Sequence, residues 1–459
     1  MNIFSIFNFN KIKQNKNNLI VLVILLSWVH QWLTIGSFIN IEYGKFQFDS
    51  ILQYRNQSLA IFVINIIIFF FNREKKIKNN ILLYLYLIPV TYLLGLTNRL
   101  VDNYGEKDIY FFYYLTFIMQ MINTLLILNN FSKIRKINEN FLLRINLLLI
   151  FTYIIVIIIT QNFQLRVTYN LDFADVKILT NANGFSRMLF IINIYLACHY
   201  FMKKKNIMIL FIYFIINCLI IALESRQALL LISVQLLLII FYNIRKKNLI
   251  KTMFKYYLFL VIVPLCFSFV IKNTTNNRLF LLQGELRHDN LIYGFTDPRK
   301  ENFSKENNLN ETKDNFDKLN KISTGRLEKW IFVITHIINS KMKNILIGNG
   351  PEFDREIIRA TGNDVANGLI YLLLCGGLLA LFSFFIIIKK YLKIVLKTFS
   401  YKKDLSKDVF FCFSIICIIS LSLRSLVENS FFVYGVDFLL ISSCFFYVVK
   451  KIRTRLNSV

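Results

Sequence analysis

The feature that most constrains this chain is the length of its apolar blocks: runs of about 18–22 residues, separated by short polar gaps, recur along most of it. A helix rises about 1.5 Å per residue, so about 20 apolar residues cross a hydrocarbon core of about 30 Å. Strands would not need such length, and soluble helices would alternate apolar with polar faces. The 459 residues are 56% hydrophobic and only 18% charged, against about 25% charged in soluble domains. The expected fold is therefore all-α, a polytopic integral membrane protein with about twelve transmembrane helices. Candidate spans centre on 19–39, 54–71, 80–98, 109–129, 141–160, 184–202, 206–224, 227–243, 255–272, 366–388, 409–427 and 430–449.

The net charge of +27 would suggest nucleic acid in a soluble protein. Here the Lys and Arg residues lie mostly between the apolar blocks, where they set topology instead, and no nucleic-acid partner is expected. Every second loop is strongly basic, from Lys11, Lys13 and Lys16 through Arg73–Lys78, Lys203–Lys205 and Arg245–Lys247 to Lys450, Lys451, Arg453 and Arg455. That places about 29 basic residues on one face and about 8 on the other, leaving aside the long segment after residue 272. Positive loops stay in the cytoplasm, so both termini are expected there. The first apolar block reads as a retained signal anchor, because no small-x-small cleavage site follows it.

This organisation divides the chain into helices 1–9 (residues 1–272), a large periplasmic loop (273–365), and helices 10–12 with a cytoplasmic tail (366–459). The loop is nearly balanced in charge, and its part from 301 to 321 is Asn-rich and reads as solvated chain. From Thr324-Gly325-Arg326 onward, apolar residues at 327, 330, 331, 334, 337 and 338 follow the helical repeat. Thr324 is placed to cap that helix, which would rest on the membrane surface or on the helix bundle. The segment Ile347-Gly348-Asn349-Gly350-Pro351 reads as a turn. All seven cysteines (198, 218, 266, 375, 412, 417 and 444) fall within expected spans, so neither a disulfide nor a thiolate metal site is expected, and no cofactor. The four histidines show no metal-ligand spacing; His199 and His336 read as structural.

An ionisable residue in or beside a spanning helix costs several kcal/mol (roughly 3 on insertion scales) unless it is paired or wet, which makes it a site candidate. Five such features lie at expected outer helix ends. Asn183 and Arg187 open the sixth helix, with a cap and a snorkelling Arg as the plainer reading. Glu224-Ser225-Arg226 forms a charged turn that could be a local ion pair. Arg326 with Trp330 could belong to an ordinary amphipathic helix, and Arg355 and Arg359, among Asp354, Glu356 and Asp364, to a solvated face. Arg424 and Glu428 are spaced to pair one helical turn apart, as a clamp or as a catalytic pair. Together these put several Arg residues and a few carboxylates around one outer vestibule. The planar fork of Arg, always charged, suits a phosphate or pyrophosphate, whether lipid-linked or on a soluble metabolite.

At these residues the chain resembles the O-antigen polymerase and O-antigen ligase superfamily of bacterial envelope glycosyltransferases. The matching pieces, in order, are the Asn-Gly element at 183–184, Ser225-Arg226, Gly325-Arg326 with Trp330, and Ile347-Gly348-Asn349-Gly350. Asn367-Gly368-Leu369-Ile370-Tyr371, running to Gly376-Gly377-Leu378, and Arg424 to Glu428 complete the series, which covers roughly residues 178–440. The resemblance implies a metal-independent, C-type (GT-C-like) glycosyltransferase of the inner membrane. Such an enzyme joins glycans carried on undecaprenyl pyrophosphate at the periplasmic face. It implies that Arg226 and Arg326 hold the donor pyrophosphate, with Asn183, Arg187, Arg355, Arg359, Asn367 and Arg424 as further substrate contacts. Glu428, Glu224 and Asp364 stand as unranked candidates for the general base. Partners implied are the lipid-linked glycan, membrane lipid and, for a polymerase, a chain-length regulator protein. Ligases of the superfamily typically carry His before the Asn that enters the late helix; this chain has Ala366 there, which favours a polymerase. An O-antigen ligase and, from another class, a polysaccharide transporter or flippase are the alternatives. The transporter is disfavoured by only four Pro residues and the lack of an internal repeat.

Overall fold

The computed structural model describes residues 16–38, 47–72, 80–101, 108–131, 140–160, 172–173, 176–177, 182–202, 206–222, 232, 235, 326–357, 367–400, 408–425 and 432–456. Among these the architecture is all-α. The helices are α1 (Lys16–Phe38), α2 (Gln47–Asn72), α3 (Asn80–Val101), α4 (Asp108–Phe131), α5 (Phe141–Thr160), α6 (Ala182–Met202) and α7 (Ile207–Ala222). They continue as α8 (Arg326–Ile338), α9 (Met342–Ile347), α10 (Phe353–Ile357), α11 (Gly368–Ser400), α12 (Val409–Arg424) and α13 (Val436–Leu456). One two-residue antiparallel pairing, Asp172–Phe173 with Val176–Lys177, stands between α5 and α6.

Ten of the twelve expected apolar helices are present; those expected at 227–243 and 255–272 lie outside the described residues. Some limits move. The helix expected at 54–71 begins at Gln47, and that expected at 366–388 runs on to Ser400. The last, expected at 430–449, starts at Val436, because residues 433–435 form a bend in which the Tyr434 hydroxyl donates to the carbonyl of Gln31. Within α11, Gly368–Lys393 is the one described segment long and apolar enough to cross a bilayer by length and composition together. Shorter apolar segments include Leu19–Ile35, Leu59–Asn72 and Val409–Arg424.

The interior is mainly apolar, yet the outward faces are apolar too. Large apolar residues face outward along several helices, with Leu33, Phe70, Phe71, Phe211 and Phe382 all more than half exposed, while amides are packed inside. Several of the buried amides are held by a neighbouring helix. Gln31 of α1 donates to Asn65 Oδ1 of α2 (3.0 Å), which also accepts from Asn123 of α4 (2.9 Å). Asn146 of α5 accepts from the indoles of Trp28 (2.8 Å) and Trp32 (2.9 Å) and donates to Ser443 of α13 (3.0 Å). One side chain thus joins three helices distant in sequence. Asn146→Leu strands two indole N–H groups and is expected to cost about 1–3 kcal/mol in an unfolding titration; an unchanged midpoint would show that the network carries no stability.

At the opposite ends of α12 and α13, Asp408 caps α12 by accepting from Phe410 N (3.1 Å) and Phe411 N (3.2 Å). It also accepts from Tyr447 (2.9 Å) and pairs with Lys451 (3.3 Å), fastening the two helices together.

Candidate functional site

The helix ends opposite that fastening gather α6, α11, α12 and α13. α12 finishes at Arg424 and α13 opens at Val436, so Asp437 stands in the first turn of one helix and Arg424 in the last turn of the other. Each charge sits at the helix terminus whose partial charge favours it. Arg424 Nη1 donates to Asp437 Oδ2 at 2.9 Å, and the two side chains are 4% and 1% exposed. From α6, Arg187 brings its Nε to 3.6 Å from Asp437 Oδ1, with 16% exposure. Among the described residues the Asp437 carboxylate therefore stands between two guanidiniums. Among the described residues Arg187 Nε makes no hydrogen bond. That Nε is buried and faces Asp437, so Arg187 is held toward the carboxylate at longer range than Arg424.

The start of α11 is joined to this cluster through the backbone. Gly368 N donates to Ser425 O at 2.7 Å, and a Cβ at Gly368 would overlap that carbonyl. Asn367 Oδ1 accepts from Leu369 N (3.0 Å) and Ile370 N (3.1 Å). Its carbonyl oxygen thus caps α11, and only its amide N–H groups are left for a substrate.

Of the residues expected at the site, the structure brings together Arg187, Arg424 and Asn367. Among the described residues the carboxylate that Arg424 meets is Asp437, and the expected pairing with Glu428 falls outside the description. Glu428, Glu224, Asp364, Arg226 and Arg359 lie outside the described residues. Asn183, Arg326 and Arg355 fall in α6, α8 and α10, but their side chains lie outside the description. The six described cysteines all lie in helices, and Cys266 is outside the description.

Two groups were not expected. Asp437 is the first. The second surrounds Arg99, in the last turn of α3, which is buried with its guanidinium 4.6 Å over Tyr114 and 5.4 Å over Phe353. Beside it Glu352 and Asp354 are buried, and Glu352 takes a left-handed backbone (φ 57°) while its N–H donates to the Tyr371 hydroxyl (3.1 Å). His336 of α8 packs its ring against Phe353 (centroids 5.9 Å), and burial lowers its pKa, so it is neutral near pH 7 and serves as packing. Among the described residues no group of three or more His, Cys, Asp or Glu is placed to hold a metal ion.

No family model, no curated protein and no solved structure matches this chain.

Proposed function

We propose that the chain is a polytopic inner-membrane protein, with both termini cytoplasmic, that polymerises O-antigen by joining undecaprenyl-pyrophosphate-linked repeat units at the periplasmic face. The observation that carries this reading is the Arg187–Asp437–Arg424 cluster, two guanidiniums fixed about a buried carboxylate at the helix ends that the charge rule assigns to the outer side. The outward apolar faces support the membrane setting: Leu, Ile and Phe exposed along several helices, with amides bonded inside, suit a solvent of hydrocarbon.

In the proposed reaction an acceptor hydroxyl on one lipid-linked unit attacks the anomeric carbon of the donor glycan, and the bond to the carrier pyrophosphate breaks. The acceptor proton passes to a carboxylate, for which Glu428, Glu224 and Asp364 are the candidates. Negative charge grows on the departing pyrophosphate, and guanidiniums fixed before the reaction stabilise it without reorganising. Arg226 and Arg326 are proposed for the donor pyrophosphate, and Arg187, paired with Asp437, for a further substrate contact.

Deleting the gene tests the reading in cells. Long-chain O-antigen is expected to disappear from the lipopolysaccharide while a single repeat unit remains on the core; loss of that unit too indicates a ligase, and unchanged long chains overturn the proposal. Arg226→Ala and Arg326→Ala are each expected to abolish polymerisation at normal protein level, and wild-type chain lengths in both would remove those residues from the site.

A further inference from the structure

The segment after Arg326 was expected to lie outside the membrane, ending in a simple turn, yet its contacts place it between two apolar helices and well below their outer ends. Asn344 of α9 accepts from Asn98 (2.6 Å), three residues before the end of α3 at Val101 and so about 4–5 Å below it. Further along, Gly350 meets α3 at Gly95 and Leu96, six residues from that end, or about 9 Å down. On the other side, Leu346 and Gly348 abut Gly377, nine residues or about 13 Å into α11. The chain then climbs again: Glu352 N reaches the hydroxyl of Tyr371, and Phe353 lies beside Arg99, near the end of α3. Contacts on two helices therefore trace a descent to residues 348–350 and a return.

The apex also solves its own hydrogen-bond problem. Gly377 has φ 69° and ψ −171°, which interrupts α11 and takes the carbonyls of Leu374 and Cys375 out of the helical ladder. Those carbonyls accept from Asn349 N (3.1 Å) and Gly350 N (2.9 Å). Gly348, Asn349, Gly350 and Pro351 are all buried. Irregular backbone at membrane depth is tolerated only where protein encloses it and satisfies its polar groups. The outward side is apolar: Leu346 is exposed next to exposed Leu378 and Leu379, and so continues the outward faces of α3 and α11.

We infer that residues 342–357 form a re-entrant hairpin whose apex lies within the outer leaflet, with Leu346 against the lipid acyl chains. The inference rests on reading the chain as membrane-spanning. Lys341 and Lys343, exposed at the start of the descent, stand at the level of the headgroups. The hairpin carries buried Glu352 and Asp354 on either side of Phe353, which lies against Arg99 of α3, so the loop contributes to the interior of the bundle.

The test uses the full-length protein in vesicles of phosphatidylcholine with or without bromine on the acyl chains. A bimane fluorophore is attached at Leu346→Cys and, separately, at Phe382→Cys on the exposed face of α11, with the unsubstituted chain as the labelling background. Both probes are expected to lose most of their emission in brominated lipid and to be protected from an aqueous quencher. Quenching by lipid at Phe382→Cys with only aqueous quenching at Leu346→Cys overturns the hairpin and leaves the membrane reading standing. If lipid quenches neither, the membrane reading itself fails.

Discussion

Asp437→Ala is expected to destabilise the protein by about 3–5 kcal/mol, because it leaves the buried Arg424 guanidinium without its carboxylate. The cost is high since Arg424 is 4% exposed and cannot turn to water, whereas Arg187, at 16%, can partly do so. Thermal unfolding of the solubilised protein measures this directly. A folding defect alone would not separate a clamp from a site, so the double variant Arg424→Met/Asp437→Leu decides between them. Removing both charges replaces the pair with apolar side chains of similar bulk and is expected to recover most of the stability. Under the proposed function polymerisation should stay lost in that variant, because Arg187 no longer has the carboxylate that fixes its guanidinium. If the double variant builds chains of normal length, the cluster only fastens α12 to α13.

Gly377→Ala is the second large effect. The residue's φ of 69° is one that an L side chain adopts only under strain, and its Cβ would overlap the carbonyl of Leu346. Strain and overlap each cost about 1–3 kcal/mol, and together they should drive the hairpin out of its slot between α3 and α11. The expected readout is new protease or aqueous-label access within 342–357, with loss of polymerisation. Gly435→Ala is the matched control: among the described residues the nearest atom to its Cβ is 4.0 Å away, so access and activity should stay as in the parent chain. Equal behaviour of the two variants would mean that the Gly377 contact holds nothing in place.

The helices were legible because an apolar run of helical length leaves the backbone few alternatives, and their limits shifted where tertiary contacts intervened. Tyr434, bonded to Gln31 of the first helix, holds residues 433–435 in a bend and delays α13 to Val436. The partner of Arg424 was not legible from spacing. The spacing singles out Glu428, which lies outside the described residues, whereas Asp437 comes from the next helix, thirteen positions on, where no helical repeat connects it to Arg424. Asp437 carried a signal nonetheless, as an acid inside the stretch expected to span at 430–449. Arg99 carried less, since one Arg at an outer helix end is what snorkelling predicts. For Gly348-Asn349-Gly350-Pro351 the local chemistry spells a turn, and what makes it a docked apex lies far away, in Gly95 and Gly377.

The most direct measurement supplies the purified full-length chain, in lipid vesicles, with undecaprenyl-pyrophosphate-linked repeat units and no nucleotide sugar. The account predicts a ladder of lipid-linked products rising by whole repeat units, with free undecaprenyl pyrophosphate released at each step. Repeat units that cross the bilayer unchanged, or that stay single in the presence of folded protein, would contradict it.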